Sequence, residues 1–337
     1  MSGAGQALAA PKSPDNPIID AWVTANAFNG VILLGKNGKQ TWSRTWGLAD
    51  VEARTPMTLN TRFGIASISK WLTAVTVLRL VEQNLLSLDD TILKRLPYYR
   101  ADTGAKVKLR NLLANNSGIP NGFVQAMKAG KTVSLTASTD ETVKLYGMAD
   151  LQFEPGTQFD YSMTNWIIIQ AMVEAVTRQR FVDVVEMFTL RPLGLSSVSL
   201  DESKAAPSYA TLSPPVRKTE PRGLLTAASG GYYGHAPDLL RAAHQIFDTP
   251  FLKPASRKAL TTIEAPQSDY ALGGRVNMVE IGGQKRAVGW ETGRALGYRS
   301  HLAHRFDTRD TIVILNNSDL PQSVLSQLAN ELLQAGA

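Results

Sequence analysis

The chain contains no cysteine. That absence excludes disulfides, a thiolate nucleophile and thiolate metal sites together. Histidine is almost as scarce, with four residues at positions 235, 244, 301 and 304. None falls into an H-E-x-x-H pattern, so a helical zinc site has no anchor, and no metal or cofactor is expected. No apolar run reaches the roughly 18 residues that a membrane-spanning helix needs, so no integral membrane segment is expected. A Gly-x-Ser-x-Gly elbow is missing, and "ASGGYYG" reads as a turn rather than a phosphate loop. The net charge is +6, yet lysine and arginine are scattered without a long basic run. This describes a solvated surface with weak attraction to polyanions such as cell-wall polymers, and no nucleic-acid partner is expected.

What is present is an ordinary globular composition. The 337 residues are 44% hydrophobic and 19% charged, enough for a large core in one domain or two. The start, "MSGAGQALAAPKSPDNP", has neither a basic n-region nor an apolar h-region. Ala7-Leu8-Ala9 nevertheless resembles the small-residue end of an export signal. Residues 1–19 are therefore expected to be a flexible leader or signal remnant. A periplasmic or secreted location follows, with a cytoplasmic leader as the alternative.

"NGVILLGKNGKQTWSRTWGLAD" (29–50) predicts two strands joined at Asn37-Gly38. Short helices are expected within 86–97 and 107–120, and longer ones within 138–150 and 164–192. A proline-rich connection spans 210–223. A helix opens near Ala236-Pro237-Asp238, with proline at a tolerated first turn. "YALGGRVN", "KRAVGWET", "YRSHLAHRF" and "DTIVILNN" predict consecutive antiparallel strands, and "PQSVLSQLANELLQ" a closing amphipathic helix.

Strands at both ends and helices between them imply an α/β (α+β) fold. One antiparallel sheet would be built from N- and C-terminal strands and flanked by helices, with an inserted helical subdomain. The boundaries expected are 20–84 with 221–337 for the sheet domain and 85–220 for the helical subdomain, with a site in the cleft between them.

The chemistry centres on "FGIASISKWLTAVTVLRLVE" (63–82), which holds the one Ser-x-x-Lys of the chain. Residues three apart share a helix face, so Ser67 and Lys70 lie within reach of each other. Trp71, Leu72, Val75, Leu78 and Val81 form an apolar stripe that draws the helix, and Lys70 with it, into the core. Burial lowers a lysine's proton affinity, and a neutral amine beside a hydroxyl can take its proton. Serine is also a common helix cap, so this pattern taken alone has a purely structural explanation too.

Several further motifs appear in order. "LRNLLANNSGIP", "FEPGTQFDYSMTNW", "RPLGLSS", "GLLTAASGGYYGHAPDLLR" and "VGWETGRALGYRS" follow the Ser67 segment. Together they resemble the penicillin-recognising serine hydrolases, in the branch of class C β-lactamases, the carboxylesterases similar to them and D-amino-acid peptidases. The resemblance covers about residues 20 to 320 and implies the β-lactamase/transpeptidase-like fold. It implies Ser67 as acylated nucleophile, Lys70 as its base and Tyr161 as companion base and acid, its acidity raised by the lysine charge. The oxyanion hole would be the backbone N–H groups of Ser67 and Arg294. Trp290, Glu291, Thr292, Gly293 and Met163 would contact substrate, Gly293 letting it approach the strand edge.

Two departures qualify the resemblance. Met163 stands where the tyrosine motif usually carries asparagine, and it cannot supply an amide. Glu291 stands where lysine or histidine is usual, unless a shift of one residue puts Trp290 there. A glutamate would repel a penicillin-type carboxylate and favour a substrate ammonium, unless Arg294 neutralises it. The expected function is cofactor-free hydrolysis of a small ester through an acyl-enzyme on Ser67. A D-aminopeptidase or amidase, or a weak β-lactamase or D,D-peptidase, is the alternative. A cell-wall component is a candidate substrate. A non-catalytic wall-fragment or antibiotic sensor is disfavoured by the intact Ser67, Lys70 and Tyr161.

Overall fold

A computed structural model describes residues 13–131, 134, 137–219 and 223–336. Residues 1–12 of the expected leader, and 220–222 of the proline-rich connection, lie outside the described residues. The leader ends earlier than expected, because helix α1 (Pro17–Asn26) starts at a proline and is capped by Asn16, whose side chain accepts from the Ile19 amide.

Strand β1 (Gly30–Lys36) turns at Asn37-Gly38, both with positive φ, into β2 (Lys39–Trp46). The other four strands come from the C-terminal end: β3 (Arg275–Ile281), β4 (Gln284–Ala295), β5 (Tyr298–Arg305) and β6 (Asp310–Asn316). They form one six-stranded sheet in the order β2-β1-β6-β5-β4-β3. Every pairing is antiparallel, and β1 joins the two ends of the chain by pairing with β6 from Gly30↔Asn316 to Lys36↔Asp310. "YALGGRVN" is a strand only from Arg275 onward; residues 270–274 fold into a tight turn instead.

The apolar runs of β1 and β6 do not alternate with polar residues because both faces of the sheet are covered. Ile32, Leu34, Ile312 and Ile314 point to the back, where α1 and α6 (Gln322–Gln334) pack. Val31, Leu33, Val313 and Leu315 point to the front. There they meet α2 (Ser69–Glu82) and α5 (Ala236–Asp248). Between the two strand groups runs a mainly helical stretch, which includes α3 (Gly122–Lys128) and α4 (Met163–Thr177). Helix α4 is buried from Thr164 through Val173, as expected for a helix apolar on nearly every side. It stops at Arg178, which takes a left-handed conformation (φ 54°), so the helical reading of 164–192 breaks there. In place of a plain connection near 210–223, Tyr209–Leu212 and Pro215–Arg217 form a small hairpin.

Among the described residues, no helix is long and apolar enough to cross a membrane.

Candidate active site

Ser67 lies in a short 3-10 turn, Ala66–Ile68, that runs straight into α2. Ala66 immediately before it has φ 46°, a conformation that alanine adopts at a cost of roughly 1–3 kcal/mol. The turn is pressed against β4 at Gly293. A Cβ there would stand 2.1 Å from Ser300 Oγ and 2.3 Å from the Ile65 carbonyl oxygen. Gly293 thus lets the serine turn dock on the strand, rather than giving room to substrate as the sequence suggested.

Lys70, on the first turn of α2, is 2% exposed. Its Nζ donates to Ser67 Oγ at 3.0 Å and to the Ser229 carbonyl. It also lies 4.9 Å from the Tyr161 ring centre and 5.4 Å from that of Trp166. Burial pushes the amine down to about 7, with the Glu291 carboxylate opposing and the Arg275 guanidinium reinforcing that shift. A large fraction of the amine is therefore neutral near pH 7, which a lysine in water would not be.

Tyr161 completes the group, its hydroxyl donating to Ser67 Oγ at 2.8 Å. The segment that carries it is held by Asn115, itself left-handed at φ 53°. The Asn115 carbonyl accepts from the Asp160 amide at 2.8 Å. Its side-chain oxygen accepts from the Ser162 amide, Asn165 Nδ2 and Trp166 Nε1, each at 3.3 Å. Asn165 is thereby committed to the interior and also accepts from Ser117 Oγ at 2.7 Å, so it does not replace the amide missing at Met163. The Tyr161 hydroxyl is pushed above its ordinary value, first by burial and then by the Glu291 carboxylate. This corrects the expectation of a more acidic tyrosine. Near neutrality Tyr161 keeps its proton.

Strand β4 divides the third group of residues between the faces of the sheet. Trp290 turns to the back, stacked on His301 with ring centres 5.9 Å apart, and bonds Asn277 Oδ1 at 3.0 Å. Glu291, the next residue, faces the front toward Lys70 and Tyr161. It is 1% exposed and ion-paired to Arg275 Nη1 at 3.2 Å. Burial raises its proton affinity while Arg275 opposes the rise. Neither Trp290, Glu291, Thr292 nor Gly293 lines the cavity above Ser67, whereas Met163 and Arg294 do. The carboxylate placed in the substrate pocket by sequence reasoning is seated behind the lysine, and its partner is Arg275 rather than Arg294.

That cavity measures about 350 Å³. Its floor is Ser67, Lys70 and Tyr161, and its walls are largely apolar, with Phe123, Val124 and Met127 from α3, Met163 from α4 and Leu296 after β4. Helix α3 was invisible as a wall in the sequence, because nothing in "GFVQAMK" marks it off from an ordinary amphipathic helix. No carboxylate is among the lining residues described. Among the described residues no cluster of histidine, aspartate and glutamate could hold a metal ion.

A serine, a buried lysine and a tyrosine held to one oxygen, on a helix docked against an antiparallel sheet, is the arrangement implied by the motif order. The family model for Beta-lactamase matches residues 18–336. The chain belongs to the beta-lactamase family. Esterase EstB of Burkholderia gladioli is 28% identical over 304 residues, covering 78% of this chain and 73% of that protein. Among solved structures, the octameric penicillin-binding protein homologue from Pyrococcus abyssi has a TM-score of 0.81. It is 22% identical and covers 95% of this chain and 76% of that one. The D-stereospecific amidohydrolase from Streptomyces sp. has a TM-score of 0.76 at 21% identity, covering 96% of this chain and all of that one. The protein is thus a hydrolase of the beta-lactamase family, similar in sequence to a named esterase and in fold to a D-stereospecific amidohydrolase.

Proposed function

We propose that this member of the family is a carboxylesterase-like serine hydrolase that forms an acyl-enzyme on Ser67 with small, mainly apolar esters. One observation carries the reading: Ser67 Oγ is held by both Lys70 and Tyr161 at the floor of an apolar cavity.

The neutral Lys70 amine takes the Ser67 proton as Oγ attacks the ester carbonyl. The backbone N–H groups of Ser67 and Arg294 receive the developing oxyanion. Tyr161 still carries its proton and is close to the reacting oxygen, so it donates toward the departing alkoxide. The Lys70 ammonium then returns a proton to the Tyr161 phenolate, which restores the neutral amine. Water attacks the acyl-enzyme with Lys70 as base, and Lys70 passes that proton to Ser67 Oγ, which leaves as an alcohol. The seating of Glu291 weakens the amidase alternative. A D-amino-acid amide needs a carboxylate for its ammonium, and the one expected there is buried and already paired. Efficient β-lactam turnover is not expected either, since Met163 replaces the usual amide and no lysine stands at 291. The similarity to EstB, named an esterase, points the same way.

The test is a fluorophosphonate probe with mass mapping, followed by a panel of p-nitrophenyl esters, D-amino-acid amides and a chromogenic cephalosporin. Labelling of Ser67, with kcat/KM highest for uncharged esters, is expected. Labelling elsewhere, or amides outpacing the best ester, would overturn the reading. The two-part domain division and a periplasmic site of action belong to the same proposal. Limited proteolysis and fractionation of the native host would check them.

A further inference from the structure

Behind the Ser67 group lies a buried set of titratable side chains that the mechanism above leaves unused. The turn Tyr270–Arg275 creates it. Gly273 (φ 80°) and Gly274 let this turn press on the start of α2. A Cβ on Gly273 would stand 2.6 Å from the Lys70 carbonyl oxygen, and one on Gly274 2.0 Å from Trp71 Nε1. The Gly273 amide donates to the Leu113 carbonyl at 3.1 Å, and the Ala271 amide closes the turn on Gly274 at 2.8 Å. Tyr270 and Arg275 are thereby carried to the back of the lysine.

Arg275 bonds both oxygens of Glu291, at 3.2 and 3.3 Å, and the Thr292 amide donates to the same carboxylate at 2.9 Å. The guanidinium is wedged between the rings of Tyr270 and Trp290, 5.1 and 5.0 Å from their centres. Tyr270 in turn meets Tyr161 edge-on, with ring centres 6.1 Å apart. The Tyr270 hydroxyl is buried with no hydrogen-bond partner of ordinary geometry. The charged and titratable groups around Lys70 are thus Tyr161 before α4, Tyr270 and Arg275 of the turn, and Glu291 of β4, with Arg294 at the cavity wall.

We propose that the Glu291–Arg275 ion pair is a positioning device for catalysis, its two charges acting in opposite senses on the protonation of Lys70. The proposal rests on the Ser67 acyl-enzyme reading. The carboxylate favours the ammonium form of Lys70 and the guanidinium disfavours it, as Coulomb's law requires in a buried site. The carboxylate accordingly opposes, and the guanidinium reinforces, the lowering of the lysine's proton affinity that burial produces. Paired, they leave little net field, so burial sets when Lys70 becomes a base. A pair retained for structure alone would lower stability when broken but would have no reason to move a pH profile in two directions.

The experiment reads the second-order rate constant for fluorophosphonate labelling of Ser67 from pH 5 to 10, so no substrate needs to be known. In Glu291→Gln the acid limb should move to lower pH, because Arg275 is left unopposed. In Arg275→Gln it should move to higher pH. A shift of about one unit would appear as a tenfold change in rate at fixed pH on the limb. The double neutral variant should return the limb close to wild type, and Glu291→Asp should hold it there. Should Glu291→Gln fail to fold, Arg275→Gln and the double variant carry the test, the first moving the limb up and the second restoring it. Limbs that stay put, or move the same way in both single variants, would overturn the proposal. Failure of Ser67 to label in the wild type would instead overturn the acyl-enzyme reading beneath it.

Discussion

Under the proposed mechanism, the buried Lys70 amine sets the working range of the site. In that mechanism the amine acts as the base and must be neutral, and burial brings it down to about 7. The sign follows directly: below that pH the ammonium dominates and the base is lost, whereas above it the amine is free. For an uncharged ester, kcat/KM should fall tenfold per unit below about pH 7 and level off above it. A profile flat from pH 5 to 8 would exclude Lys70 as the base. Tyr161 has the opposite displacement and stays protonated, so no alkaline gain from its ionisation is expected near pH 9. Tyr161→Phe and Lys70→Ala should each lower kcat by about 10²–10⁴. The double variant should be little worse than the poorer single one, because both act on one oxygen. Stopped-flow acylation rates would show this, and fully additive losses in log kcat would count against a shared role.

Glycines govern how closely the elements around Ser67 approach one another. Gly293 brings β4 against the serine turn, and Gly274 brings the Tyr270–Arg275 turn against α2. Gly293→Ala would drive a methyl into two oxygens that belong to well-packed neighbours. The expected cost is about 1–3 kcal/mol in urea unfolding. Acylation should fall more than proportionately, since the turn carrying Ser67 must retreat from the strand. Retention of wild-type acylation would show that the docking does not position the serine. Asn115 plays the corresponding part for the Tyr161 segment. Asn115→Ala removes an acceptor that serves three donors, two on α4 and the Ser162 amide. It should lower kcat at little change in KM and destabilise by about 1–3 kcal/mol; kinetics and thermal unfolding of the variant check both.

For the whole molecule, the buried lysine opposes stability. A lysine whose proton affinity is lower folded than unfolded penalises the fold at low pH. The unfolded chain binds the extra proton between about pH 7, the folded value, and about 10.4, the unfolded one, so stability rises with pH across that window. Lys70→Met keeps the volume and removes the charge. It should abolish turnover while leaving Tm unchanged or higher. Its advantage over wild type should be largest at and below pH 7 and shrink toward pH 10. Scanning calorimetry at pH 7 and 9.5 is the check, and an advantage that grows with pH would contradict the sign. The apolar cavity sets the substrate scale for the same molecule. Its volume of about 350 Å³ suits a short acyl chain, so kcat/KM for p-nitrophenyl esters should peak at short length and decline with longer acyl groups.

Local pattern was enough for most of the elements and for the meeting of Ser67 with Lys70. The Ser67-x-x-Lys70 spacing, the apolar stripe after it and the Asn37-Gly38 turn depend on residues only a few positions apart. The strand groups at the two ends of the chain implied one sheet, and the ladder from Gly30↔Asn316 joins them. What the sequence could not determine depends on contacts between distant segments. The face on which Glu291 lies follows from the register of β4 with β5, where Glu291 pairs opposite Leu302 and a one-residue slip would exchange it with Trp290. Its partner, Arg275, is supplied by a turn that reaches the site only because Gly273 and Gly274 have no side chains to hold it away. The acidity of Tyr161 likewise follows from burial and the carboxylate behind it, rather than from the lysine beside it in the motif. Proton affinities and pocket walls are set by dielectric surroundings and three-dimensional proximity, and these exist only once the chain has folded.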